Sequence, residues 1–323
     1  MKRILALLLI CAMAFVLAAC GSSQVNGGTS KMTMGTGGPT GTYYIYGGVI
    51  SQYILDDAGI SVNVVSTDGS KANIVGIDYG DYQLATVQSD VMAYAWEGSS
   101  SFAQEGKIQS FRVVCGLYAE AVHLVTMDPQ IKTVADLKGK NVSIGAPGSG
   151  VYFNAIDVLA AAGLTENDIR PQYQSNIDSA DALKDGKIDA AFFVAAVPMP
   201  TVVELCTHYD AYVIPLDGEI SKRMIERCPF YTVCQIPAGT YRGQTEPVNT
   251  VAVKATLITD ADASEDDIYR LTAAIFENSQ NITKEHAKGA ELTLQNATSG
   301  MTVPFHPGAA RYFAEKGIRV EAG

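Results

Sequence analysis

Two glycine-rich turns carry the residues of this chain best suited to chemistry. Gly35-Thr36-Gly37-Gly38-Pro39-Thr40-Gly41 follows the apolar segment Met32-Thr33-Met34, and Gly145-Ala146-Pro147-Gly148-Ser149-Gly150 follows residues 141–144. Glycine lets a bound group approach the backbone closely, and the free amides that open the next helix favour a carboxylate or phosphate. A helix terminus contributes about 0.3–2 kcal/mol toward an anion and each further hydrogen bond about 1. Several together reach the roughly 8 kcal/mol of micromolar binding.

Three further groups stand at strand ends or helix starts. Gln88-Ser89-Asp90 closes an apolar run; Ser89 and Asp90 suit an N-cap, whereas Gln88 is an amide at a buried strand end and needs partners. Ser70 and Asn73 open the helix after Gly69, as caps or as ligand contacts. Tyr43 and Tyr44 serve two roles, one ring packing in the core and the other presenting its hydroxyl to a cleft.

Other chemistries find no support in the sequence. Thr40 stands where GxGxxG needs its third glycine, and no Gly-Lys pair is followed by Ser or Thr. His123, His208, His286 and His306 share no spacing, GxSxG and HExxH are absent, and no nucleophile sits beside a base. Neither a catalytic residue, a metal site nor a cofactor is expected. The formal charge is -11, with 34 acidic residues against 23 basic ones, which repels nucleic acid and anionic headgroups. Small anions remain suitable, because local amides bind them whatever the net charge.

The turns belong to a repeated pattern. Residues 31–96 alternate strands, glycine or serine turns and helices, and the order recurs from residue 141, with 151–162 as a helix stopped by Gly163. Gly80-Asp81-Tyr82-Gln83-Leu84-Ala85 and Gly186-Lys187-Ile188-Asp189-Ala190-Ala191 each set a glycine turn before a buried strand. The expected fold class is α/β: two similar α/β lobes, each with a mainly parallel sheet, and a ligand cleft between them at the carboxyl ends of the strands. Residues 111–127 read as a strand crossing between lobes and 248–259 as the return, so the chain divides into lobe 1 (31–120 plus 250–323) and lobe 2 (121–249). Two shared strands allow closure by hinge bending.

Lys2-Arg3, an apolar run and Leu17-Ala18-Ala19-Cys20 read as a lipoprotein signal. Residues 1–19 form the leader, Cys20 carries the lipid, and 20–30 are a glycine-rich tether. The expected location is extracytoplasmic, anchored by lipid to the cell membrane. Of Cys115, Cys206, Cys228 and Cys234, the pair Cys228 to Cys234 closes the shortest loop, against the alternative of free buried thiols.

Taken together, Gly35-Thr36-Gly37-Gly38, Gly41-Thr42-Tyr43-Tyr44, Gly69-Ser70 with Asn73, Gln88-Ser89-Asp90, Gly145-Ala146-Pro147-Gly148-Ser149-Gly150, Ile236-Pro237-Ala238-Gly239-Thr240-Tyr241 and His306-Pro307-Gly308-Ala309-Ala310-Arg311-Tyr312 resemble the TAXI solute receptors of TRAP transporters, the tripartite ATP-independent periplasmic systems. The resemblance implies a type II periplasmic-binding-protein fold. It also implies capture of a small organic anion or amino acid, glutamate-, glutamine- or 2-oxoglutarate-like, and its delivery to a TRAP membrane permease. Carried over by position, it puts Thr40, Gly41, Tyr43, Tyr44, Ser70, Asn73, Gln88 and Ser89 near the ligand on one lobe and Gly148, Ser149 and Gly150 on the other. Asp68, Lys71 and Ala72 depart from the pattern beside the cleft mouth, and so do Cys228 and Cys234 in the second lobe. The competing readings are a receptor for an ABC importer or a membrane sensor kinase, and an exported enzyme on the same fold.

Overall fold

The computed structural model describes residues 30–216 and 218–323. The leader 1–19, Cys20 and the tether up to residue 29 lie outside the described residues.

β-branched and apolar residues build β1 (Ser30–Gly35), β2 (Ile60–Val65) and β3 (Leu84–Gln88), which pair in parallel in the order β2-β1-β3. The helices Thr42–Tyr53, Ser70–Asp78 and Ser89–Glu97 each follow one of these strands. The first of them buries Tyr43, Tyr46, Gly47 and Ile50, one face at helical spacing.

The long strand β4 (Phe111–Thr126) leads into a second unit of β5 (Asn141–Ser143), β6 (Arg170–Gln172) and β7 (Ala190–Ala195), with the helices Gly150–Ala161, Asn176–Lys184 and Pro200–His208 after them. Here β5 pairs in parallel with both β6 and β7. The order β6-β5-β7 thus repeats β2-β1-β3, and each triplet is flanked by an antiparallel long strand.

The return strand is β10 (Val248–Asp260), which follows β8 (Tyr212–Ile214), the helix Gly218–Arg227 and β9 (Thr232–Ile236). Its first half pairs with β9 and its second half with β3, while it runs antiparallel along β4. The β4–β10 register shifts between Lys254 and Thr256 and again between Leu257 and Ile258. Such irregularities bend and twist a strand, which suits the pair linking the two halves.

The cores follow the same plan. One draws on β1–β3, β4 up to Tyr118, β10 from Ala255 and the C-terminal helices Glu265–Glu277 and Pro307–Glu315. Two more cover the faces of the other half. Val122, Leu124, Phe192 and Val194 point to one face, and Ala121, Val125, Ala191 and Phe193 to the opposite one, the period-two alternation of a sheet buried on both sides.

Cys115, Cys206, Cys228 and Cys234 are free thiols. The short-loop pairing of Cys228 with Cys234 does not form: Cys228 Sγ lies 2.8 Å from the Tyr94 hydroxyl, and Cys234 stands on β9 opposite Thr250.

Candidate functional site

A cavity of about 340 Å³ lies where the two glycine turns face each other. Four helices start at its wall. Thr42–Tyr53 and Ser70–Asp78 begin after Gly41 and Gly69 with no side-chain cap, and Gly150–Ala161 and Asn176–Lys184 begin after Ser149 and Ser175. Gly69 has φ +111°, a backbone state that only glycine holds without strain. Helix starts of this kind direct amides and the positive dipole end at whatever occupies the space.

The charged side chains lining the cavity, among the described residues, are Asp68 and Glu120. Glu120 is 3% exposed and accepts a 2.6 Å hydrogen bond from the Tyr43 hydroxyl. Burial pushes its carboxyl up to about 8, the Tyr43 bond and Lys288 opposing and Asp90 adding to the rise. The Tyr43 hydroxyl is raised well above its ordinary range by burial and then by Glu120. Gln88 and Gln174 line the same space, and their amide oxygens are buried with no hydrogen-bond partner.

Of the residues expected at the site, Thr40, Gly41, Tyr43, Ser70, Gln88, Ser149 and Gly150 line the cavity. Ser70 Oγ accepts from the Gln88 amide at 3.1 Å, holding the β3 end. Ser149 Oγ donates to Ala146 O at 2.7 Å and accepts from the Tyr152 amide at 3.3 Å, so its hydroxyl caps its own helix. Gly150 leaves room for the end of Gln88: a Cβ there would stand 2.1 Å from Gln88 Oε1, so that side chain would have to move.

Tyr44, Asn73, Ser89 and Gly148 are not among the lining residues. Asn73 ties three segments together, donating to Thr36 O (2.6 Å) and Thr86 O (2.7 Å) and accepting from Thr67 Oγ1 (2.6 Å). Ser89 Oγ accepts from the Lys254 amide at 3.1 Å, beside the first register shift of β10. Gly148 O accepts from the Ala72 amide at 3.1 Å, a backbone bond across the cleft mouth. Tyr44 is half-buried, and Tyr43 combines both roles, packing in the core and turning its hydroxyl to the cavity wall.

Glu120, Gln174, Ser175 and Asn176 were missed by sequence reasoning. A signal existed for Glu120, a lone acid in the run Leu117-Tyr118-Ala119-Glu120-Ala121-Val122. The other three sit in a polar loop with no motif.

His123 and His306 are engaged structurally. His123 bonds Ala121 O (2.9 Å) and the Tyr241 hydroxyl (2.8 Å), and burial pushes it down to about 4. His306 Nδ1 accepts from the Gly308 amide to cap the last helix.

Comparison with known proteins agrees with this geometry. A model of the NMT1-like family matches residues 34–317, so the chain belongs to that family. This match corrects the TAXI resemblance: the shared glycine turns and caps are features of the fold and do not carry that assignment. A putative aliphatic sulfonates-binding protein of Escherichia coli (strain K12) is 41% identical over 69 residues, 21% of each chain, so the match spans about a fifth of that relative. Among solved structures, the alkanesulfonate-binding protein SsuA from Xanthomonas axonopodis pv. citri, bound to MOPS, has a TM-score of 0.52 at 16% identity, covering 88% of this chain and 83% of that one. PhnD1 from Prochlorococcus marinus (MIT 9301) in complex with methylphosphonate gives 0.53 at 10%, over 80% and 91%. A putative L-cystine ABC transporter from Listeria monocytogenes gives 0.51 at 16%, over 81% and 97%. At these identities the likeness is one of fold: two α/β lobes around a cleft, the type II periplasmic-binding-protein fold.

Proposed function

We propose that this member of the NMT1-like family is an extracytoplasmic receptor that captures a small solute and hands it to an ABC importer. The observation that carries the reading is the cavity between the lobes, walled by four helix starts and containing acidic but no basic side chains among the described residues. Its volume suits a small molecule. Helix amides receive an anionic group of the solute. Gln88 Oε1 and Glu120 call for a donor at its other end, so the solute class is an amino acid or another acid bearing an ammonium group.

In this reading Thr40, Gly41, Tyr43, Ser70, Gln88, Ser149 and Gly150 contact the solute together with Glu120 and Gln174. Asn73, Ser89 and Gly148 hold the loops and hinge that shape the cavity, and Tyr44 supports the first helix. Lobe 1 comprises residues 31–120 plus 250–323 and lobe 2 residues 121–249; the separate cores follow this division except that Val251 and Val253 pack with lobe 2 and Phe153 and Ala196 with lobe 1. Closure follows because only the closed form lets both lobes touch the solute. The protein performs no chemistry on it. Cys20 carries a lipid that keeps the receptor at the outer face of the membrane.

The importer type expected from the sequence changes accordingly: family membership removes the ground for a TRAP permease, and the solved relative described as an ABC transporter supports the ABC partner. The test is a thermal-shift screen of amino acids, aminoalkyl sulfonates and phosphonates, and their counterparts without the amino group. Stabilisation of about 2.7 kcal/mol at a hundredfold excess over Kd, rising with concentration, is expected for an ammonium-bearing acid. No stabilisation by any of them counts against the receptor, and chemical conversion of a bound one would make it an enzyme. Neighbouring genes for an ATPase and its permease would support the importer.

A further inference from the structure

Beside the cavity, the helices Ser89–Glu97 and Gly150–Ala161 bring two carboxyl groups into a buried cluster. Asn154 Nδ2 donates to Asp90 Oδ2 and to the Tyr231 hydroxyl, both at 2.8 Å. The Tyr231 and Tyr94 hydroxyls donate to Asp157 Oδ2 at 2.9 and 3.0 Å. Burial raises the Asp157 carboxyl, and its two phenol donors and Arg227 oppose that rise. Asp90 Oδ1 and Asn154 Oδ1, in contrast, are both buried with no hydrogen-bond partner.

Two orphaned acceptors on side chains already joined by one hydrogen bond have a common remedy. A carboxylic acid and a carboxamide form a two-point pair, in which the amide N–H donates to one acid oxygen and the acid O–H donates to the amide oxygen. In such a pair a proton on Asp90 Oδ1 is the donor that both orphaned oxygens lack.

We propose that the closed protein holds Asp90 as the neutral acid, paired with the Asn154 carboxamide of the opposite lobe, so that closing the cleft binds a proton. The inference rests on the two-lobed receptor reading and goes beyond it.

The surroundings favour the neutral form. Burial, then the Asp157 carboxylate, raises Asp90 to about 7, against the amides of Val91 and Asp90 and the Asn154 side chain. The titratable groups around it are Tyr94 on its own helix, Asp157 on the facing helix, Cys228 and Tyr231 on the segment before β9, and Glu120 on β4. The cations stand off: Arg227 acts on Asp157, and the Lys254 ammonium on β10 donates to Asn296 O and Ser299 O. In an opened cleft Asp90 meets water and returns toward the ordinary carboxylate range. Closure is therefore favoured at low pH, and the advantage is lost as pH rises through about 7, with a change in the closed-to-open ratio of at most about tenfold per pH unit.

The test uses the solute-free protein, with small-angle scattering for compactness and infrared spectroscopy for the acid carbonyl. Between about pH 6 and about pH 8 the wild type should expand while a carboxylic-acid band fades. Asp90→Asn, a neutral amide of the same shape, should stay compact across that range and lack the band. Asn154→Leu should be expanded throughout. A scattering profile independent of pH in the wild type, or an equal pH dependence in Asp90→Asn, overturns the proposal and leaves solute binding unaffected. Failure of every solute in the thermal-shift screen, with pH-dependent closure intact, would sink the receptor reading alone.

Discussion

Glu120 and Tyr43 form a buried carboxyl–hydroxyl pair in the cavity wall, and in the proposed receptor its protonation sets which solute group it pairs with. With Glu120 raised to about 8, the free protein holds it mostly neutral at pH 7. A solute ammonium pairs with the ionised form, so binding must release that proton. Affinity for an ammonium-bearing acid should accordingly rise with pH, by at most about tenfold per unit, and level off above about 8. Glu120→Gln should bind more weakly with no such slope. Calorimetry across the pH range decides the matter: a flat wild-type profile would remove Glu120 from contact with a cation. Asp90 has the opposite sign, favouring the closed form at low pH, so the two groups separate by variant and by direction. Gln88→Ala should weaken binding by about 1–3 kcal/mol if its orphaned oxygen accepts from the solute, and unchanged heat on titration would exclude it.

At the scale of elements, the helix starts separate stability from recognition. Ser149→Ala removes the cap on Gly150–Ala161, which should cost about 1 kcal/mol of stability, read as a modest fall in Tm; the hydroxyl is committed to Ala146 O and the Tyr152 amide, so Ser149 meets the solute through its backbone and affinity should change little. Gly150→Ala should do the reverse. Gly150 is the first residue of its helix, where alanine is well tolerated, yet its Cβ would displace the end of Gln88, 2.1 Å away, so affinity should fall about tenfold or more while the melting temperature holds. Equal affinity in that variant would show that Gln88 has no fixed role. The strands and helices of the first unit and the two long strands were legible in the sequence because their signals are local, whereas β6, β8, β9 and the helix Gly218–Arg227 were not read. The helix Pro307–Glu315 follows from its proline at N1, and β4 and β10 stand out as long apolar runs. The cavity wall was legible only in part: glycine turns announce backbone approach, but the tasks of Asn73, Ser89 and Gly148 depend on residues distant in sequence, such as Thr36, Lys254 and Ala72. Gln174 enters the site through folding alone, whereas Glu120 left a trace as a lone acid in an apolar run.

For the molecule as a whole, closure joins the lobes by more than the solute. Phe153, on the lobe 2 helix Gly150–Ala161, stacks between Tyr94 and Phe102 of lobe 1, with ring centroids 5.8 and 5.9 Å apart, and it counts among the buried residues of the lobe 1 core. Contacts that exist only when the lobes meet stabilise the closed state and leave each lobe's own fold alone. Two aromatic pairs at about 0.5–1.5 kcal/mol each amount to between about fivefold and about a hundredfold in the closed-to-open ratio. Phe153→Ala should therefore weaken solute binding by that factor through faster release, and small-angle scattering of the solute-free variant should report a more extended molecule. The discriminating measurement is the melting temperature of the solute-free protein. A clamp residue shifts it little, whereas a large fall in Tm with affinity preserved would mean that Phe153 belongs to a core that never opens and that the hinge works around it.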